Sequence, residues 1–323
     1  MARDGRRPVT PVERWVTYPL QAIPVYLLFG FFWLLPTDWA SALGSWLGRK
    51  IGPRLGVTKR ARRNLTRMMP EIEEAEREAI ILGMWDNLGR TVAEYPHLKR
   101  IWDQAERRIE RVGFEHLNKI TENATQCVMV SGHLANWEVA QVGARRYGIE
   151  LGFIYRRLNN IYVNPLLLWL RRHASRIFFF KGAEGGRQAL AHLKKGGNLA
   201  LLIDQKLNEG IPVPFFGVPA MTAPAVASFT FKFETALLMI RTERLEGCRF
   251  RVTVMPPIEP EVTGDRQHDT LVLMTELNAQ LEEWIKERPE QWLWLHNRWP
   301  AEAFTEPKAS VLDGDTEKVT EEA

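Results

Sequence analysis

The stretch from Cys127 to Glu138 constrains the fold most strongly. Its apolar residues 127–130 predict a buried strand, Ser131 and Gly132 predict a tight turn, and the residues after them predict a helix. A strand that leads through a short turn into a helix is the repeating unit of parallel α/β sheets. This order therefore favours an α/β fold over an all-α or all-β one.

The same alternation of strands and helices continues through the rest of the chain from about residue 110. Strands are predicted at 126–130, 151–155, 176–180, 199–203, 236–241 and 249–255, and helices at 136–147, 163–173, 185–194, 224–233 and 269–288. Before this region, apolar residues at steps of three and four predict an amphipathic helix over 71–98. We expect a mostly parallel central sheet that is sandwiched by helices.

His133 and Glu138 form the first candidate catalytic pair. His133 lies in the predicted turn and Glu138 in the first helical turn, so the carboxylate can reach back to the imidazole. A buried carboxylate on one ring nitrogen fixes the tautomer and raises the basicity of the other nitrogen. This spacing predicts a general base. The competing interpretation is a histidine at the helix start beside an unrelated glutamate.

An uncharged run of 23 residues from Trp15 to Thr37 predicts an N-terminal membrane-anchor helix. That length is sufficient to span a bilayer. Pro19 and Pro24 argue against a regular helix in its first half, so an anchor lying in the interface is the alternative. If the run spans, the larger basic cluster after it places the main domain in the cytoplasm.

Charge is distributed unevenly along the chain. Residues 1–63 hold eleven Lys/Arg and three Asp/Glu, residues 64–303 hold thirty of each, and residues 304–323 hold two and six. A net charge of +8 beside the most apolar segment favours contact with anionic lipid over nucleic acid. We divide the chain into a membrane anchor at 1–63, an α/β domain at 64–303 and a disordered acidic tail at 304–323.

Polar residues follow two of the predicted strands. Arg156 and Asp204 come directly after strands, with Asn159 and Gln205 close behind them. Binding sites of parallel sheets gather at the carboxyl ends of the strands, so these four residues are candidates for substrate binding. A surface arginine and a structural turn are the competing interpretations.

The Pro- and Gly-rich segment 210–217 carries two further candidates, Phe215 and Phe216. They could form a wall of an apolar substrate tunnel or belong to a buried turn. The sequence has no Cys/His cluster with zinc spacing, no phosphate-binding loop and no Gly-x-Ser-x-Gly motif. It therefore predicts neither a metal nor a cofactor, and both cysteines are expected to be buried thiols of a reducing compartment.

Taken together, these segments resemble the bacterial lipid A late acyltransferases, the family of the lauroyl and myristoyl transferases, within the lysophospholipid acyltransferase superfamily. The resemblance covers most of the chain. Its motifs are Ser-Gly-His-x-x-Asn-Trp-Glu at 131–138, Tyr-Arg-x-Leu-Asn-Asn at 155–160, Asp-Gln at 204–205, Val-Pro-Phe-Phe-Gly at 213–217 and Pro-Glu-Gln-Trp-Leu-Trp-Leu-His at 289–296. The chain departs from the family at Arg157 and Ile161, where the family usually has proline.

The resemblance implies an acyl carrier protein thioester as donor and a lipid A precursor as acceptor. It implies that His133 takes the proton of an acceptor hydroxyl and that Glu138 orients His133. Arg156 would bind an acceptor phosphate or stabilise the oxyanion. The alternatives are transfer to another glycolipid such as a phosphatidylinositol mannoside, a membrane-bound esterase or thioesterase, and a binding protein without activity.

Overall fold

The computed structural model describes residues 9–304 and confirms the α/β prediction. The strands are β1 (Ile109–Val112), β2 (Cys127–Ser131), β3 (Leu151–Tyr155), β4 (Ile177–Phe180), β5 (Asn198–Leu202), β6 (Ile211–Phe215), β7 (Val218–Thr222), β8 (Ala236–Glu246) and β9 (Arg249–Val254). Seven of them form the central sheet in the order β1-β9-β8-β2-β5-β3-β4. The neighbours β8-β2-β5-β3-β4 are all parallel, β9 is antiparallel to β8, and β1 is parallel to β9.

Helices cover both faces of this sheet. They are α1 (Tyr18–Leu34), α2 (Thr37–Ile51), α3 (Thr58–Met68), α4 (Glu74–Glu94), α5 (Leu98–Asp103), α6 (Ala105–Arg108), α7 (Glu115–Glu122), α8 (Trp137–Arg146), α9 (Val163–Arg171), α10 (Ala183–Lys194), α11 (Ala225–Phe233) and α12 (Arg266–Glu287). β2 shows why both faces need covering. Its side chains alternate, so Val128 packs in the core with α12 while Met129 packs in the core with α8.

The predicted helix over 71–98 is α4, which continues unbroken through two glycines. Gly89 faces Gly44 of α2 so closely that a Cβ on Gly89 would stand 2.1 Å from the Gly44 carbonyl oxygen. A Cβ on Gly48 would likewise stand 2.1 Å from the Trp85 carbonyl oxygen. These glycines let the two helix backbones touch, and α2 is thereby held directly against the body of the protein.

A β-hairpin occupies the segment that the sequence left as a Pro/Gly loop. β6 and β7 pair antiparallel around a two-residue turn in which Phe216 has φ 55° and Gly217 has φ 68°. Turns with two left-handed residues match the twist of a two-stranded hairpin. Three prolines, Pro212 and Pro214 in β6 and Pro219 in β7, obscured the strand pattern in the sequence, since proline is confined to edge strands and bulges.

The N-terminal hydrophobic helix is present. Glu13–Leu34 is long and apolar enough to cross a membrane by length and composition, and only 11% of its most apolar window is buried. Pro24 lies inside α1 without ending it, and the preceding turn Glu13–Thr17 is π-helical. The predicted disordered tail falls almost wholly on residues 305–323, which lie outside the described part of the chain.

Candidate active site

The turn between β2 and α8 is fixed by α4 and by the segment before Trp292. Ala135 adopts a left-handed conformation with φ 48°, which lets its carbonyl oxygen accept hydrogen bonds from Asn87 and Thr91, each at 3.1 Å. Asn136 caps α8 by accepting the backbone N–H of Glu138 at 3.3 Å. The position of the turn, and of His133 within it, therefore depends on residues far away in sequence.

His133 is paired with Asp204 in the structure. Asp204 follows β5, the neighbour of β2, so the carboxyl ends of the two strands bring the side chains together. Oδ1 of Asp204 lies 2.7 Å from Nδ1 of His133, and Oδ2 accepts the backbone N–H of His133 at 2.7 Å. Trp292 donates its indole N–H to Oδ2 at 2.8 Å. Asp204 is fully buried, whereas 13% of the His133 side chain stays exposed.

The electrostatics of this pair favour an ionised Asp204. Burial raises the pKa of its carboxyl, but the charge and hydrogen bonds of His133 outweigh burial and hold that pKa well below its ordinary value. An ionised carboxylate only accepts hydrogen bonds, so Nδ1 of His133 is the protonated ring nitrogen. In the neutral form of the ring, Nε2 is then the nitrogen without a proton, and it lies 3.2 Å from the amide nitrogen of Gln205.

Glu138 is not the partner of His133, which corrects the pairing expected from the sequence. No hydrogen bond or ion pair joins the two side chains within residues 9–304. Glu138 is fully buried, and its Oε1 accepts from Nε of Arg171 at 2.7 Å, from the Tyr95 hydroxyl at 3.0 Å and from the Trp137 indole at 3.1 Å. A guanidinium offers this carboxylate charge-assisted hydrogen bonds that a neutral imidazole cannot match.

Arg171 and Tyr95 are therefore parts of the site, although nothing in the sequence marks either of them. Each lies inside a predicted helix, without a motif around it. Burial alone favours a neutral Arg171, but the adjacent Glu138 raises the pKa of the guanidinium above its usual value. Burial, followed by the charge of Glu138, raises the pKa of the Tyr95 hydroxyl. The cluster at neutral pH is an ion pair with an un-ionised phenol.

A cavity of about 290 Å³ opens beside His133 and runs along three neighbouring strands, β2, β5 and β3. Its polar lining lies near the carboxyl ends of the strands and on the adjoining helical segments, and consists of Tyr95, Ser131, His133, Trp137, Gln141, Tyr155, Arg156, Arg171 and Gln205. Earlier positions of the strands supply apolar side chains such as Met129, Phe153 and Ala200, and α8 and α9 supply Ala140 and Leu167. The cavity therefore combines a polar mouth with an apolar interior.

The structure brings together some of the other predicted residues and separates others. Arg156 and Gln205 line the cavity, as their strand-end positions suggested. Asn159 is exposed and lies outside the cavity lining. Phe215 and Phe216 pack into a core cluster with Trp292, Trp294 and Trp299, so the structure places them behind the site and not at the cavity.

His296 lies against the catalytic candidate from the other side. Its ring centroid is 5.0 Å from that of His133, with an angle of 63° between the ring planes. Burial, followed by the charge of His133, lowers the pKa of His296 to about 4. In the sequence, His296 is the last residue of the motif at 289–296, to which no individual role was assigned. Within residues 9–304, no group of His, Cys, Asp or Glu side chains could hold a metal ion.

Known proteins are similar to this chain over most of its length. The family model for bacterial lipid A biosynthesis acyltransferases matches residues 14–301. A lipid A biosynthesis lauroyltransferase of Escherichia coli K12 is 27% identical over 294 residues, which cover 85% of this chain and 90% of the relative. A lipid A biosynthesis acyltransferase of Haemophilus influenzae Rd is 26% identical over 260 residues, covering 77% of this chain and 79% of the relative. With a match that extends over most of its length, the chain belongs to the bacterial lipid A biosynthesis acyltransferase family.

Proposed function

We propose that this protein transfers a fatty acyl chain from an acyl carrier protein thioester to a hydroxyl group of a lipid A precursor. The observation that carries the proposal is the Asp204–His133 pair at the polar mouth of an apolar cavity. Family membership makes the reaction an acyl transfer. The donor, the acceptor hydroxyl and the residue roles are our assignments.

In this mechanism His133 is the general base. Nε2 of His133 removes the proton of the acceptor hydroxyl as the oxygen attacks the thioester carbonyl carbon, and Asp204 stabilises the imidazolium that forms. When the tetrahedral intermediate collapses, the carbon–sulfur bond breaks and His133 returns the proton to the thiolate. The products are an ester-linked acyl chain and a free carrier thiol.

The two arginines that line the cavity stabilise the negative charges of the oxyanion and of the acceptor phosphate. Arg171, held by Glu138, and Arg156 both line the polar mouth where the carbonyl oxygen becomes an oxyanion. We assign Arg156 to an acceptor phosphate, because its side chain is exposed at the mouth and a guanidinium binds phosphate in a bidentate manner. Glu138 acts through Arg171 and Trp137 and is a positioning residue.

The acyl chain of the donor occupies the apolar interior of the cavity. Each buried methylene contributes about 0.8 kcal/mol to binding, so an apolar channel favours a long-chain thioester over a short one. The enzyme acts at the cytoplasmic face of the inner membrane, where the N-terminal segment of net charge +8 is attracted to anionic lipid.

Product analysis tests the proposal. Purified full-length protein is mixed with vesicles that contain a lipid A precursor, together with acyl carrier protein that bears a lauroyl or myristoyl thioester. Mass spectrometry should find one added acyl chain in ester linkage, and His133→Ala should remove it. Free fatty acid in place of acylated glycolipid would make the protein a thioesterase. Acylation of a phosphatidylinositol mannoside alone would replace the acceptor.

A further inference from the structure

Most of the large apolar side chains that are exposed in the described residues lie at the N-terminal end. On α1 they include Leu20, Leu27 and Leu34, with exposures of 62%, 68% and 73%. Positions seven apart share one face of a helix, so these leucines mark an outer face of α1. A group of exposed apolar side chains on one helix face indicates contact with a membrane or with another protein.

The opposite side of α1 is packed against the protein along its length. Five positions are buried or half-buried and form what we call the inner stripe, namely Tyr18, Ala22, Val25, Phe29 and Phe32. Their spacing of four, three, four and three residues is that of a single helix face. Apart from Pro19, the other residues of α1 are exposed.

Specific contacts hold α1 to the rest of the protein from one end of the helix to the other. At the start, Asn160 donates its amide N–H to the Tyr18 carbonyl oxygen at 2.8 Å. In the middle, the Tyr26 hydroxyl donates to the carbonyl oxygen of Tyr162 at 3.0 Å. Near the end, His97 Nε2 lies 2.8 Å from the Phe32 carbonyl oxygen. The contacts span fourteen residues, or about 21 Å of helix.

This packing is incompatible with a helix that crosses the bilayer alone. A crossing helix needs about 30 Å inside the hydrocarbon core. The helical turn Glu13–Thr17 that precedes the first contact is only about 7 Å long. A crossing α1 would therefore carry the polar segment around Asn160 into the bilayer, where its backbone groups would lose their water.

α9 adds a part of the α/β body to the same surface. An apolar groove of about 610 Å³ lies between α1 and α9 and is lined by Tyr26, Phe29, Gly30, Trp33, Pro165, Leu166, Trp169 and Leu170. Trp169 is 48% exposed, and the guanidinium carbon of Arg172 stands 3.7 Å from its ring centroid. A tryptophan beside an arginine is typical of the zone between lipid headgroups and acyl chains.

We infer that α1 lies in the plane of one leaflet, held to the body by its inner stripe, and that Trp169 enters the same leaflet. The occupant of this surface is an anionic bilayer, because basic residues border it at Arg14 and Arg172. The inference rests on the membrane attachment proposed above and specifies its geometry: both ends of α1 stay on the cytoplasmic side.

Thiol accessibility in inverted inner-membrane vesicles tests which side Val12 occupies. Val12 is 65% exposed just before the helix, while the native thiols of Cys127 and Cys248 are buried. A membrane-impermeant maleimide should label Val12→Cys in intact vesicles, as it labels the remote control Val262→Cys. Labelling of Val12→Cys only after the vesicles are permeabilised would overturn the inference.

Depth-dependent quenching supplies a second readout with the full chain. An NBD fluorophore is attached to single cysteines in place of Leu20, Leu27, Leu34 or Trp169, in vesicles of phosphatidylethanolamine and phosphatidylglycerol that carry nitroxide lipids. The three α1 positions should have similar shallow depths, and the Trp169 position should be quenched as well. A Leu27 probe near the bilayer centre, with an unquenched Trp169 probe, would indicate a spanning helix.

The outcomes for topology and for activity are separable in one sample. Acyl transfer that persists with Val12→Cys protected from the maleimide would overturn only the in-plane geometry. Full labelling of Val12→Cys without acyl transfer would overturn only the proposed function. Protein that does not float with either type of vesicle would overturn the membrane attachment and the inference together.

Discussion

Two buried carboxylates stand near the same histidine and have different surroundings. Asp204 and Glu138 are both fully buried at the carboxyl end of the sheet. Asp204 contacts the imidazole directly, through a ring nitrogen and through the backbone N–H. Glu138 contacts Arg171, Tyr95 and Trp137 instead. A spacing of five residues between a histidine and a carboxylate is therefore not enough to show that the two side chains are hydrogen-bonded.

Because their surroundings differ, we expect the two carboxylates to have different roles. In the mechanism that we propose, Asp204 sets the tautomer of His133 and balances the charge that His133 gains during the reaction. Glu138 fixes the wall of the cavity, since Trp137 packs its ring 5.0 Å from that of His133 and Arg171 lines the polar mouth. Loss of Asp204 should change the chemistry, and loss of Glu138 should change the geometry and stability of the wall.

The largest expected effect is on turnover. His133→Ala and Asp204→Asn should each lower kcat about 10²–10⁴-fold, because the first removes the base and the second offers an amide N–H to Nδ1 and favours the wrong tautomer. Glu138→Gln should keep more activity than either. Steady-state kinetics with the acyl thioester measure this, and Asp103→Asn on the surface is the matched control.

The opposite order of activities would contradict the pairing of Asp204 with His133. If Glu138→Gln matched His133→Ala while Asp204→Asn kept near-normal turnover, Glu138 would be the acid that serves the base. The contact between Asp204 and His133 would then have only a structural role. Circular dichroism of each variant separates lost chemistry from lost fold.

The second effect is on stability. Glu138→Ala leaves the guanidinium of Arg171 buried without its anion, and removal of one partner from a buried pair costs about 3–5 kcal/mol. The double variant Glu138→Ala/Arg171→Met should recover a large part of that free energy of unfolding, since it leaves no unpaired charge. Urea unfolding measures both. Removing Glu184 from its exposed pair with Arg187 is the control and should leave the free energy of unfolding almost unchanged.

Equal stability of the single and double variants would contradict this account. Arg171 would then be stabilised by water or by Tyr95 without help from Glu138. The wall would not depend on the ion pair.

The outline of the fold followed from sequence because its signals are local. Strand-end positions placed Asp204, Arg156 and His133 at one edge, since parallel strands end together. The partner of His133 did not follow, because side-chain pairing depends on which strands are neighbours, and β5 lies beside β2 through a crossover of about seventy residues. The sequence did not predict the edge strand β1, because three of its four residues are exposed and two are charged.

A third, smaller effect concerns substrate affinity. Arg156→Lys keeps the positive charge but loses the planar fork, so the acceptor KM should rise about tenfold with kcat nearly unchanged. Arg157→Lys is the control, since the Arg157 guanidinium stacks 3.7 Å from the Phe180 ring centroid. A fall in kcat at constant KM would assign Arg156 to the oxyanion, and unchanged constants would leave it a surface arginine.

The smallest expected effect is on the pH dependence of the free energy of unfolding. The folded protein holds the pKa of His296 at about 4, below the unfolded value of about 6.5. Between these values the unfolded chain binds more protons, so the free energy of unfolding falls as the pH is lowered through this window, by at most about 1.4 kcal/mol per pH unit from this residue. His296→Gln should flatten that dependence in urea unfolding from pH 6.5 to 4.5. The buried His97 and the half-buried His173 have lowered pKa values too, so the test compares the slope of the variant with the slope of the wild type. Parallel slopes would mean that His296 is protonated in the fold. The carboxylate of Asp204 would then balance the positive charge of His296 as well and would not serve His133 alone.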